Sequence, residues 1–134
     1  MTDLESLGRR WLAAFTVRDF DQLERLLDPE VRFRALIPHG LREASGPVDA
    51  VRCLRAWFGE SDVFVVRSSG VDRVSDRIRA HYRVDVHEEG AWYTVDQTLY
   101  GVARDDLLTD VALVCSGFRA IDAPVDLEPT ATPS

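Results

Sequence analysis

The sequence predicts an α+β fold: three N-terminal helices packed on a curved, mostly antiparallel sheet, closed into a cone around one deep pocket. Two observations carry this. About three helical stretches come first, and four long strand-like runs then close the domain, the last being Leu107–Phe118. Within those runs, Arg77–His87 alternates cleanly, with Ile78, Ala80, Tyr82, Val84 and Val86 against Arg79, His81, Arg83, Asp85 and His87.

The elements follow in order. Thr2-Asp3-Leu4-Glu5 reads as a capping box with Thr2 as the cap. Leu4, Leu7, Trp11, Ala14 and Phe15 then recur at helical spacing. Asp19-Phe20-Asp21-Gln22 repeats the cap signal, and Phe20, Leu23, Leu26 and Leu27 form the next stripe, which Asp28-Pro29 ends. Val31–Ile37 alternates as a first strand, and Pro38–Gly46 reads as loop. Pro47 suits the first turn of a third helix, with Val48, Val51, Leu54 and Phe58 on one face and an end near Gly59. Asp62–Ser69 is a β-branched run. Glu88-Glu89-Gly90 is a hairpin turn, and Arg104-Asp105-Asp106 joins Ala91–Ala103 to the closing run, so the strands form an antiparallel meander. Residues 1–122 form one domain by this reading, and 123–134 are too polar and proline-rich to pack.

Composition excludes several function classes. The 134 residues are 46% hydrophobic and 29% charged, as in ordinary globular proteins, with net charge −7 from 16 basic and 23 acidic side chains. Scattered arginines on an acidic chain do not make the basic face that nucleic acid requires. No apolar run is long enough to span a bilayer, and the acidic N-terminus is unlike a signal peptide, so a cytoplasmic location is expected. Two cysteines, Cys53 and Cys115, are then expected as free thiols. His81 and His87 lie six residues apart on one strand, roughly 20 Å, too far to share a metal. No metal and no cofactor are expected.

Arg10–Asp19, then Leu26–Phe33, then Ser45-Gly46-Pro47 before the third helix, and the closing strand pair together resemble the nuclear-transport-factor-2-like superfamily, over residues 4–120. That superfamily includes SnoaL-like polyketide cyclases and ketosteroid isomerases. Cys115-Ser116-Gly117-Phe118-Arg119 resembles bacterial single-domain members of unassigned activity. The resemblance implies a cone with an apolar pocket, commonly in a homodimer formed through the sheet. Its walls would be Trp11, Phe15, Phe33, Trp57, Tyr82 and Val84, although most such side chains serve as core filler.

Asp96 is the sharpest catalytic candidate, a mid-strand carboxylate that, if buried, must be paired or shifted in pKa. Ketosteroid isomerases place a protonated aspartic acid on the corresponding strand to hydrogen-bond an oxyanion. Asp96 matches that position if one residue is inserted in the following turn. The isomerase tyrosine, however, falls on Trp11 and its base on Ala35. Arg83-Val84-Asp85 resembles the Arg-x-Asp pair of limonene-epoxide-hydrolase-like members, whose last-strand aspartate falls on Leu113 here. A surface or dimer-interface ion pair is the competing reading for it. His39, in the loop near the pocket mouth, can carry protons near neutral pH, against the alternative of an exposed loop histidine. Tyr100 and Gln97 are further orienting groups, though Gln97 has opposite strand parity to Asp96. Cys115 reads as a small buried side chain.

The resulting expectation is a pocket protein for a small hydrophobic, cyclic or polyketide-like molecule, doing cofactor-independent acid–base chemistry with Asp96 and His39. The alternative is a non-catalytic ligand-binding or dimerisation module.

Overall fold

The first helix, α1 (Leu4–Thr16), starts at Asp3, whose carboxylate accepts the Ser6 N–H at 3.1 Å. The cap is therefore Asp3, one residue after the expected Thr2, which lies outside the residues the computed structural model describes, 3–124. Asp19 caps α2 (Phe20–Arg25) in the same way, accepting the Gln22 N–H at 3.1 Å. Strand β1 (Leu27–Ile37) follows at once, so Asp28-Pro29 falls inside a strand rather than ending a helix. Its pairing slips between Leu27 and Arg32, and the proline, which has no N–H to give a ladder, sits in that irregular stretch.

The segment read as a loop is a second strand, β2 (Gly40–Ser45), paired antiparallel with β1. Its polar composition hid it: β2 is an edge strand, mostly exposed, with few apolar side chains to mark an inward face. Helix α3 (Pro47–Phe58) buries Ala50, Val51, Leu54 and Phe58. Val48 is exposed, contrary to the predicted stripe, because Ala50 carries the buried face round to the other flank.

The meander is as expected: β3 (Val63–Val74), β4 (Arg77–Glu88), β5 (Ala91–Arg104) and β6 (Leu107–Cys115) pair antiparallel in turn. Sheet order is β2-β1-β6-β5-β4-β3, and the β1–β6 pair is parallel. A short β7 (Arg119–Ile121) pairs with β5 at Trp92–Thr94, beyond the reach of β6. The residues between β6 and β7, Ser116-Gly117-Phe118, leave the sheet; this break divides the single closing run the sequence predicted.

One sheet face is buried. Phe33 and Ala35, Ile78 to Val86 at alternate positions, Val95, Gln97, Leu99, Val111, Leu113 and Cys115 all point to it. At its centre Phe15 packs against Tyr82 with ring centroids 4.1 Å apart, and edge-on against Phe58 and Phe64 at 5.4 Å each. Asp85 is the exception to the β4 pattern: it is buried on the opposite face, 3.4 Å from Arg67. No helix among the described residues is long and apolar enough to cross a membrane.

Candidate functional site

Where the chain leaves the sheet it opens a cavity of about 410 Å³. The end of β1 and the turn after it supply Ile37, Pro38 and His39, β2 supplies Arg42, and α3 supplies Trp57. Cys115, Ser116, Gly117 and Phe118 form the remaining wall. The size is that of a small-molecule pocket. Arg42 pairs with Ala35, a fully buried inner-face residue, so its side chain belongs to the helix-covered side of the sheet edge.

The Ser116–Phe118 wall is held at several points. Gly117 adopts φ +82°, and an added Cβ would stand 2.7 Å from Pro38 Cγ, so glycine is required both by conformation and by contact. Its N–H donates to Cys115 Sγ at 3.3 Å. The Ser116 N–H donates to the Asp96 carbonyl at 2.8 Å, and the Asp96 N–H donates to Ser116 Oγ at 2.9 Å. Phe118 packs 5.8 Å from Phe58 and 6.1 Å from Tyr93.

Behind the cavity runs a buried polar chain. The Tyr82 hydroxyl donates a short hydrogen bond to Gln97 Oε1, and Gln97 Nε2 donates to Cys115 Sγ at 3.2 Å. Burial, with a contribution from Cys115, holds the Tyr82 phenol well above its ordinary pKa, so it remains a proton donor. Burial also raises the Cys53 thiol on α3, and the positive charge of Arg42 opposes that shift.

No protein-family model matches the chain, and no curated protein matches it in sequence. Solved structures do match. A Catenulispora acidiphila protein with a ketosteroid isomerase-like fold, in complex with trimethylamine, superposes with TM-score 0.69 at 16% identity, covering 87% of this chain and 88% of that one. A Pseudomonas putida protein named as a candidate polyketide cyclase gives 0.67 at 17% identity, with 84% and 90% covered. An LEH-like epoxide hydrolase of M. tuberculosis gives 0.62 at 13%, with 84% and 82% covered. The fold is nuclear-transport-factor-2-like. Identities this low establish the fold; activity has to be argued from the site.

Within this nuclear-transport-factor-2-like fold, the predicted residues separate into three groups. His39 and Trp57 line the cavity. Trp11, Phe15, Phe33, Tyr82 and Val84 are buried core residues. The indole N–H of Trp11 meets no acceptor among the described residues. Asp96 and Tyr100 lie on the other sheet face, contrary to the inward placement expected of them. Strand parity is the reason: Gln97, 2% exposed, takes the inward place, and Asp96 is left with its side chain 41% exposed. There it accepts from Arg83 Nε at 3.0 Å and Arg119 at 2.8 Å. Arg83 thus pairs with Asp96 across the strands, while Asp85 turns to Arg67.

Sequence reasoning missed Arg42 and the Ser116–Phe118 wall. Arg42 was hidden by reading its strand as loop: Leu41-Arg42-Glu43-Ala44 shows no apolar alternation, and Pro38 to Gly40 alone marked a turn after the first strand. Gly117 between Cys115 and Phe118 was the signal that the last run breaks.

Proposed function

We propose that the chain is a small-molecule pocket protein, a cofactor-independent acid–base enzyme of the cyclase, isomerase or dehydratase type acting on a hydrophobic, cyclic or polyketide-like substrate. The observation that carries this is the cavity itself, whose lining includes His39, an exposed side chain, together with the aromatic residues Trp57 and Phe118 and the polar residues Cys115 and Ser116. Histidine moves protons near neutral pH, and the apolar walls orient a ring system against it. Polyketide cyclase and epoxide hydrolase names among similarly folded proteins support the same chemistry. Asp96 is cast here as a positioning residue, since it grips Arg119 and, through its backbone, Ser116, on either side of the wall.

The test is exchange of the acidic α-protons of a hydrophobic β-diketone in deuterated buffer, followed by proton NMR. The native protein accelerates exchange, and His39→Gln lowers that rate about 10²-fold or more. A native protein that binds the diketone without accelerating exchange leaves the alternative, a non-catalytic binding module. Two observations favour that alternative: Trp11 and Ala35 stand where isomerases carry their tyrosine and base, and Asp96 faces outward.

We further propose that the chain dimerises through the exposed sheet face. Leu41, Leu36 and Val114 are cross-strand neighbours there and are 58%, 53% and 50% exposed, an apolar stripe over three strands.

A further inference from the structure

The charge of the cavity narrows the ligand class. Among the described lining residues there is no aspartate or glutamate, although the chain as a whole carries net charge −7. The cationic group present at every accessible pH is Arg42. Four arginines elsewhere on the protein, Arg55, Arg79, Arg83 and Arg119, each face a carboxylate. Arg42 makes no hydrogen bond or ion pair among the described residues. It stands at the inner edge of the sheet, and its field reaches α3, where it opposes the rise of the Cys53 thiol. An unpaired guanidinium beside apolar walls matches a planar carboxylate, which it can grip through two parallel N–H donors.

We propose that the cavity takes an apolar anion, a planar aromatic or polyketide-like carboxylate or enolate whose negative end meets Arg42 and whose rings lie between Trp57 and Phe118. This deepens the pocket reading above and rests on it. The anion supplies the charge that the cavity lacks, and the ring faces replace water on the apolar walls. Because Arg42 is exposed to solvent, the attraction is screened by salt. A neutral isostere keeps the wall contacts and loses the charge-assisted pair.

Titration calorimetry with 2-naphthoate and 2-naphthamide, on the native protein, Arg42→Gln, Arg42→Lys and Trp57→Ala, tests this. The native protein binds the acid about tenfold more tightly than the amide, as one charge-assisted contact gives. Arg42→Gln closes that gap and leaves the amide unchanged, Arg42→Lys keeps part of it, and raising the salt concentration narrows it. Trp57→Ala weakens both compounds. Equal native affinities, or a gap that survives in Arg42→Gln, overturn the anion assignment while leaving the pocket reading in place, provided Trp57→Ala still weakens binding. Failure of both compounds to bind overturns the two readings together.

Discussion

At the scale of single residues, the hydrogen-bond chain from Tyr82 through Gln97 to Cys115 is the interior feature with the sharpest consequences. Tyr82→Phe leaves Gln97 Oε1 buried without its donor, which costs about 1–3 kcal/mol in urea denaturation at neutral pH. The same residue shapes the alkaline limb. Its phenol is raised above the ordinary 10.0 in the fold, so the folded state holds the proton that the unfolded state releases. Stability from this group is complete below pH 10 and falls as pH rises above it; the Tyr82→Phe protein lacks that component of the fall. All 16 basic residues are arginine, so no lysine titrates in that window to obscure the comparison. Asp96→Asn has a smaller effect: two half-exposed ion pairs are lost, read as a small drop in melting temperature. The identity of these polar residues was legible in the sequence, but their direction was not. Asp96 and Gln97 are adjacent, only one can face inward, and choosing between them required the register set by Val95 and Leu99 on either side of Gln97.

At the scale of elements, the helices and the meander were legible because capping aspartates, apolar spacing and hairpin turns all act locally. What the sequence concealed depended on neighbours: β2 is an edge strand without an apolar face, and β7 pairs only where β6 has departed. Packing between elements sets two predictions. Gly8 sits mid-helix, where alanine is intrinsically better by about 1 kcal/mol. Yet a Cβ there would stand 2.7 Å from Val71 Cγ1 and 2.9 Å from Ile78 Cγ2, and both neighbours are β-branched and stiff. The clash wins, and Gly8→Ala lowers stability by about 1–3 kcal/mol, seen as an earlier urea midpoint. Arg18 follows α1 with φ 54° and gives hydrogen bonds to the carbonyls of Phe58 and Ser61 at 2.9 and 2.8 Å, with its guanidinium over the Phe64 ring. It places a cation at the C-terminal end of α3, where the helix dipole favours one. Arg18→Ala loses about 1–2 kcal/mol by thermal denaturation and loosens α3 against α1.

For the molecule as a whole, the dimer proposed through the exposed sheet face sets one expectation. Leu36→Asp puts a charge in the middle of the Leu41–Leu36–Val114 stripe, and light scattering then reports a monomer where the native protein is a dimer; a native monomer at micromolar concentration contradicts the proposal. Asp62 and Asp72 contribute to the acid limb. Hydrogen bonds from His87 and Arg79 hold these carboxyls below their ordinary 3.8. Their contribution is present above that value and is lost as pH falls through the depressed values, a weak effect at such exposed sites. The pairing of β1 with β6 carries a different consequence, for the time course of synthesis. Phe33 must wait for Val111 before it gains its parallel partner, and Leu36 must wait for Val114. Closing so long a loop is slow, and until it closes the cavity lacks the Cys115–Phe118 wall. A ribosome that has released everything through β5 therefore displays helices, a β1–β2 hairpin and a partial meander side by side, with the cavity still lacking one wall. On the pocket reading proposed above, ligand binding waits for residues 115–118 to emerge and close the wall.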